Sequence, residues 1–108
     1  MTPKEFVALF YNHKIYYFNE CLNENSGLDV SSKIKSLNLN EEQKQIMKEV
    51  VDGILTDVYY SILLGLDGCT NTGGVQTDYK IYDEDRNLIT DGGEIEEYAW
   101  EFFQDRKE

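Results

Sequence analysis

The sequence predicts an α+β domain with an N-terminal helix, a long central helix, a β-hairpin forming a small antiparallel sheet, and a C-terminal helix. Three observations carry that expectation. Apolar residues recur at helical spacing near both ends and through the middle of the chain, the period switches to two over residues 75–82, and Gly- and Asn-rich stretches separate the segments. At 108 residues the chain is read as one domain, 1–108, large enough to bury a single core.

The first helix is announced by "TPKE". Thr2 is an N-cap, Pro3 suits the first helical position, and Glu5, three residues after the cap, closes a capping box. On a helical wheel Phe6, Val7, Phe10, Tyr17, Phe18 and Cys21 share one side, while Ile15 and Tyr16 fall off that stripe. The helix is expected to run to about Asn23, where "NENSG" ends it. "LDVSSKIKSLN" is weakly patterned and supports one short helical turn.

The central helix begins at Asn40, with Gln43 placed to close a second box and Glu41 and Glu42 suited to the positive end of the helix dipole. Ile46, Val50, Ile54, Val58 and Ile62 form one row at i+4, and Met47, Val51, Leu55, Tyr59 and Leu63 form the next. The second half is more apolar and is expected at the centre of the domain. Gly65 or Gly68 ends the helix. Whether it also serves as a dimer seam is left open by its pattern.

"DGCTNTGG" is a loop by composition. Val75, Thr77, Tyr79 and Ile81 then alternate with Gln76, Asp78, Lys80 and Tyr82, the pattern of a strand. Leu88 to Thr90 is the expected return strand, which makes "DEDRN" a hairpin turn with Asn87 as its left-handed residue. In "GGEIEEYAWEFFQDR", Ile95, Tyr98, Ala99, Phe102 and Phe103 make an apolar helical stripe opposite Glu97, Glu101 and Gln104.

The hydrophobic fraction of 41% and aromatic fraction of 13% belong to a folding chain and exclude a disordered acidic tail. Net charge is −11, unevenly placed. Residues 1–66 hold six lysines against nine acids, whereas 67–108 hold four basic residues against twelve acids. Such a chain repels nucleic acid and anionic membranes, so neither is an expected partner. No apolar run is long enough to span a bilayer. Glu5 near the start and the lack of a small-residue cleavage site argue against a secretory leader, so the expected compartment is the cytoplasm. Cys21 and Cys69 are read as reduced thiols, with a disulfide as the alternative.

Asp83, Asp85, Asn87, Asp91 and Glu94 fall at positions 1, 3, 5, 9 and 12 of a calcium-loop spacing. However, Leu88 stands where the loop needs glycine, and "YKIY" enters like a strand where a helix is required. A turn built from Asp and Asn accounts for the same residues, so no metal and no cofactor is expected. His13 is the sole histidine, on the edge of an apolar stripe. Cys69 has no basic neighbour in sequence to activate it. "TNTGG" lacks the lysine and the helix of a phosphate loop. No catalytic constellation emerges, and the chain is read as a non-enzyme.

Binding has firmer support. Trp100 lies about 140° round its helix from Ile95, outside the apolar stripe and between Glu96 and Gln104. An aromatic anchor among acids suits a basic protein partner, and Tyr60 and Tyr82 are similar candidates. The alternative is that Trp100 packs inside.

"ILLGLDGCTNTGGVQTDYKIYDEDRNLITDGGEIEEYAWEFF" resembles small bacterial proteins of the toxin-immunity type, over roughly residues 54–104. The resemblance implies a cytoplasmic inhibitor of a cognate toxin, a basic nuclease among the options. The expected contact face comprises Asp83, Glu84, Asp85, Asp91, Glu94, Glu97, Trp100 and Glu101. A phage or mobile-element inhibitor that mimics DNA is the alternative, although its acids would be spaced along an extended face rather than bunched near the C-terminus.

Overall fold

A computed structural model describes residues 1–90 and 92–105. Four helices and a terminal π-helical turn account for its regular structure: α1 (Pro3–Leu22), α2 (Asp29–Ser36), α3 (Glu41–Leu66), α4 (Glu94–Ala99) and the π turn Trp100–Gln104.

Both capping boxes form. Thr2 Oγ1 accepts from the Glu5 amide at 3.1 Å while Glu5 Oε1 accepts from the Thr2 amide at 2.7 Å. Asn40 and Gln43 reciprocate at 2.9 and 3.0 Å. Each box satisfies amides that the first helical turn leaves unpaired, so the helix starts are set locally. α2 exceeds the expected single turn, with eight residues from Asp29 to Ser36. Asp29 in its first turn and Lys33 and Lys35 in its last suit the helix dipole.

The core lies where α1, α3 and α4 meet. Val7, Leu63, Ile95 and Ala99 are fully buried, and Ile89 and Phe103 nearly so. Tyr59, Phe10, Tyr11 and Phe102 pack round them; the rings of Tyr59 and Phe103 stack at 6.3 Å. The C-terminal stripe is oriented as its spacing predicts, but the helix widens at Trp100. The Asp105 amide donates to the Trp100 carbonyl, five residues back, at 2.8 Å. Lys14 is the unexpected member of the interior. It is 2% exposed, and its Nζ meets Asp52 Oδ1 at 2.7 Å, joining α1 to α3.

The expected α+β architecture is corrected to a helical one. Among the described residues no sheet forms; Tyr82 and Leu88 make one antiparallel bridge, and Thr72 and Val75 another. The alternation in 75–82 is present, but of that segment only Ile81 packs against the core. Every residue of 71–80 is exposed, Val75 by 61%. A two-stranded ribbon anchored to the core only through Ile81 and Ile89 gains too little to extend into a ladder. Thr90 supplies side-chain bonds in place of one: Oγ1 donates to the Tyr79 carbonyl at 2.8 Å and accepts from the Ile81 amide at 3.1 Å. The expected turn does form at its tip, where the Asp83 amide donates to the Asn87 carbonyl. Arg86, not Asn87, takes the left-handed conformation, with φ +68°. Asp83 outweighs the cost by accepting from the Asp85 and Asn87 amides, both at 2.9 Å.

After α3, Gly73 and Gly74 both take positive φ in a tight turn closed by Thr72 and Val75, which folds the chain back over the helix end. Gly65 makes room for it, since a Cβ there would collide with Thr72 Oγ1.

Candidate acidic binding surface

The fold divides the expected contact residues between two places. One is the 83–87 turn, which sits against the start of α1. The Asp83 carboxylate has little freedom there: besides the two amides, Oδ2 accepts from the Met1 amine at 2.6 Å and from Asn87 Nδ2 at 3.0 Å. The Met1 amine, followed by the Asn87 and Asp85 donors, holds this carboxyl far below its ordinary range. Asp83 therefore organises the turn, while Glu84 and Asp85 are exposed beside it. Tyr82, 55% exposed, stands at the same end.

The other place is the outer side of α4 and the π turn. Glu96, Glu97, Trp100, Glu101 and Asp105 line a shallow depression of about 630 Å³ whose far wall is Tyr60 of α3. Trp100 is 51% exposed, so the interior position left open by its sequence is not the one it takes. Inward packing is done by Ile95, Ala99 and Phe103, and the tryptophan is left on the opposite flank. Asp67, just past α3, sets the position of α4: its Oδ2 accepts from the Glu96 amide at 2.9 Å, a donor in the unpaired first turn. Among the described residues no cation lines the depression.

Glu97, Trp100 and Glu101 are thus brought together, and Asp83, Glu84 and Asp85 form a separate group. Glu94 opens α4 on the surface, outside both groups. Asp91 lies outside the described residues. Sequence reasoning missed Glu96 and Asp105 as members of the contact surface. Both had a signal: Glu96 is the wheel neighbour of Trp100, and Asp105 continues the i+4 row of Glu97 and Glu101.

The other chemistry-bearing residues are occupied structurally. His13 Nδ1 lies 2.9 Å from the Tyr59 hydroxyl. Both thiols are free. Partial desolvation, then the Glu96 and Asp67 carboxylates, push the Cys69 thiol up to about 11, the reverse of an activated nucleophile. Among the described residues no group of His, Cys, Asp and Glu is arranged to hold a metal ion, and no helix is long and apolar enough to cross a membrane. A cleft of about 490 Å³ between α2 and α3 gathers Lys35, Lys44 and Lys48 over Leu22, Ile34, Leu39 and Met47. Two of those lysines already have acids, Glu24 at 4.0 Å and Glu41 at 3.4 Å.

No protein-family model, curated protein or solved structure matches this chain.

Proposed function

We propose that this chain is an acidic binding protein, without catalysis of its own, that neutralises a basic protein partner by covering its active or substrate-binding surface. A cognate toxin is the partner this reading favours. The observation that carries it is Trp100, half-exposed and ringed by Glu96, Glu97, Glu101 and Asp105. A tryptophan on a fixed helical flank loses little conformational freedom on binding and buries a large area, while surrounding carboxylates steer a cation-rich surface towards it. Glu84 and Asp85, outside this depression, add to the long-range field. The division of the acids into two groups, rather than a continuous line, favours a protein target over mimicry of a phosphate backbone.

The test is rescue. A bacterial host expressing the neighbouring open reading frame is grown with and without this chain, and with its Trp100→Ala and Glu97→Gln/Glu101→Gln variants. Rescue by the parent chain is expected. Trp100→Ala should weaken the complex by about 2–4 kcal/mol, the range of a central aromatic anchor. The double glutamine variant should chiefly slow association and flatten its salt dependence. A harmless neighbour, or rescue indifferent to both variants, refutes the reading.

A further inference from the structure

The apolar row on α3 is left uncovered by the fold. Ile46, Val50, Ile54, Val58 and Ile62 are 53, 49, 58, 48 and 41% exposed. Each is turned about 40° round the helix from the last, so they form one diagonal ridge about 24 Å long. The adjacent ridge on one side is Glu49, Gly53, Asp57 and Ser61. Gly53 and Ser61 leave a deep groove between the two, with nothing within 4 Å of the place a Gly53 Cβ would occupy.

The ridge reads the same from both ends: Ile, Val, Ile, Val, Ile. A two-fold axis through its middle therefore gives every residue a partner of matching size. Ile54 meets its own copy and Val50 meets Val58, with Ile46 and Ile62 at the rim. Self-complementarity of this kind is what an isologous dimer requires. We propose that a second copy of this chain covers the ridge, in an antiparallel dimer whose two-fold axis passes at Ile54.

The two-fold sets the row against its own reversed copy, and because the row winds round the helix, contact is concentrated on Val50, Ile54 and Val58. The exposed fractions of these three correspond to on the order of 280 Å² per protomer, about 560 Å² over two copies before the rim residues and flanks are counted. That is below the size of a stable specific interface and fits a weak, reversible dimer. Electrostatics opposes it, because each copy carries −11 and the flanking ridge adds Glu49 and Asp57. Salt should therefore strengthen this contact, whereas it weakens one with a basic partner. Tyr60 lies about 120° round α3 from Ile54, so the dimer leaves the Trp100 surface open and does not depend on its role.

Sedimentation of the full chain at about 50 and 500 mM salt reads the prediction. The parent should shift from 12.6 kDa towards twice that mass as concentration and salt rise. Ile54→Glu sets two carboxylates face to face on the axis and should raise the dissociation constant about 100-fold or more, with helicity by circular dichroism unchanged. Register is tested by oxidative crosslinking of cysteine variants, with peptide mapping to set aside links through Cys21 and Cys69. Ile54→Cys should link to itself, and Val50→Cys should link to Val58→Cys in mixtures but not to itself. A parent that stays monomeric at high salt overturns the proposal, as does an Ile54→Glu variant that still dimerises. Self-linking of Val50→Cys overturns the antiparallel register. If Ile54→Glu does not fold, the cysteine pairs decide.

Discussion

Replacing Asp52 with asparagine takes the carboxylate from Lys14, whose side chain is 3% exposed and whose Nζ lies 2.7 Å from it. The Tyr11 ring, with its centroid 5.7 Å from Nζ, gives only weak compensation. Breaking a fully buried pair by removing one partner costs about 3–5 kcal/mol, because the other charge is stranded. Here the Asp52 side chain is 39% exposed, so water reaches the pair, and roughly 2 kcal/mol is the better figure. In a chain of this size that lowers Tm by about 10 °C. Removing the charge instead has a different outcome. Lys14→Met keeps the stem in place, strands no buried group and should stay within about 1 kcal/mol of the parent. Adding it to Asp52→Asn should recover most of the loss. Urea unfolding of the parent, both single variants and the double variant closes the cycle. If Asp52→Asn costs under about 0.5 kcal/mol, or Lys14→Met costs more than Asp52→Asn, the buried charge is not what the pair secures.

The Asp83 carboxyl is depressed below its ordinary 3.8, so its contribution to stability is whole above that value and is lost as pH falls towards the folded value. Asp83→Asn should accordingly show a shallower fall in Tm between about pH 4 and pH 2 than the parent; equal slopes would show that the turn is indifferent to that charge. With its thiol at about 11, Cys69 should alkylate roughly 100-fold more slowly at pH 8 than an ordinary cysteine, its rate rising about tenfold per pH unit. A plateau near pH 9 would contradict the neighbouring carboxylates' effect. Gly53 is an exposed mid-helix residue with open space at its Cβ, so Gly53→Ala should raise stability by about 0.5–1 kcal/mol in chemical denaturation; a loss there would point to a contact made by its bare backbone.

The helix starts were legible because both capping boxes lie within four consecutive residues and need nothing from the rest of the fold. The sheet was over-read for the opposite reason. Val75, Thr77 and Tyr79 alternate correctly, but a strand needs a partner and a surface to bury, and the chain provides neither at that point. The two apolar rows of α3 were visible as rows. Which one turns inward depends on where α1 and α4 dock, and Leu63 and Tyr59 were chosen over Ile62 and Val58. Lys14 was unreadable as an interior residue, since its partner Asp52 is brought to it by tertiary packing. In the acidic surface, Glu97, Trp100 and Glu101 could be grouped from one helical wheel. Their separation from Asp83 and Asp85 could not, because it depends on how the chain after Tyr82 wraps round to the start of α1.

The hydrogen bond from the Glu96 amide to Asp67 ties the end of α3 directly to the first turn of α4. The chain between those two points leaves and returns through a fixed gate, and residues 71–80 within it are exposed throughout. Length and composition at the Gly73–Gly74 tip, where nothing lies within 4 Å of either added Cβ, are consequently uncoupled from the meeting of the helices. An epitope or a fluorescent domain spliced at the Gly73–Gly74 turn would be carried by the helical body without entering its interior. Related chains, if compared, should tolerate their insertions in this loop and nowhere along α3.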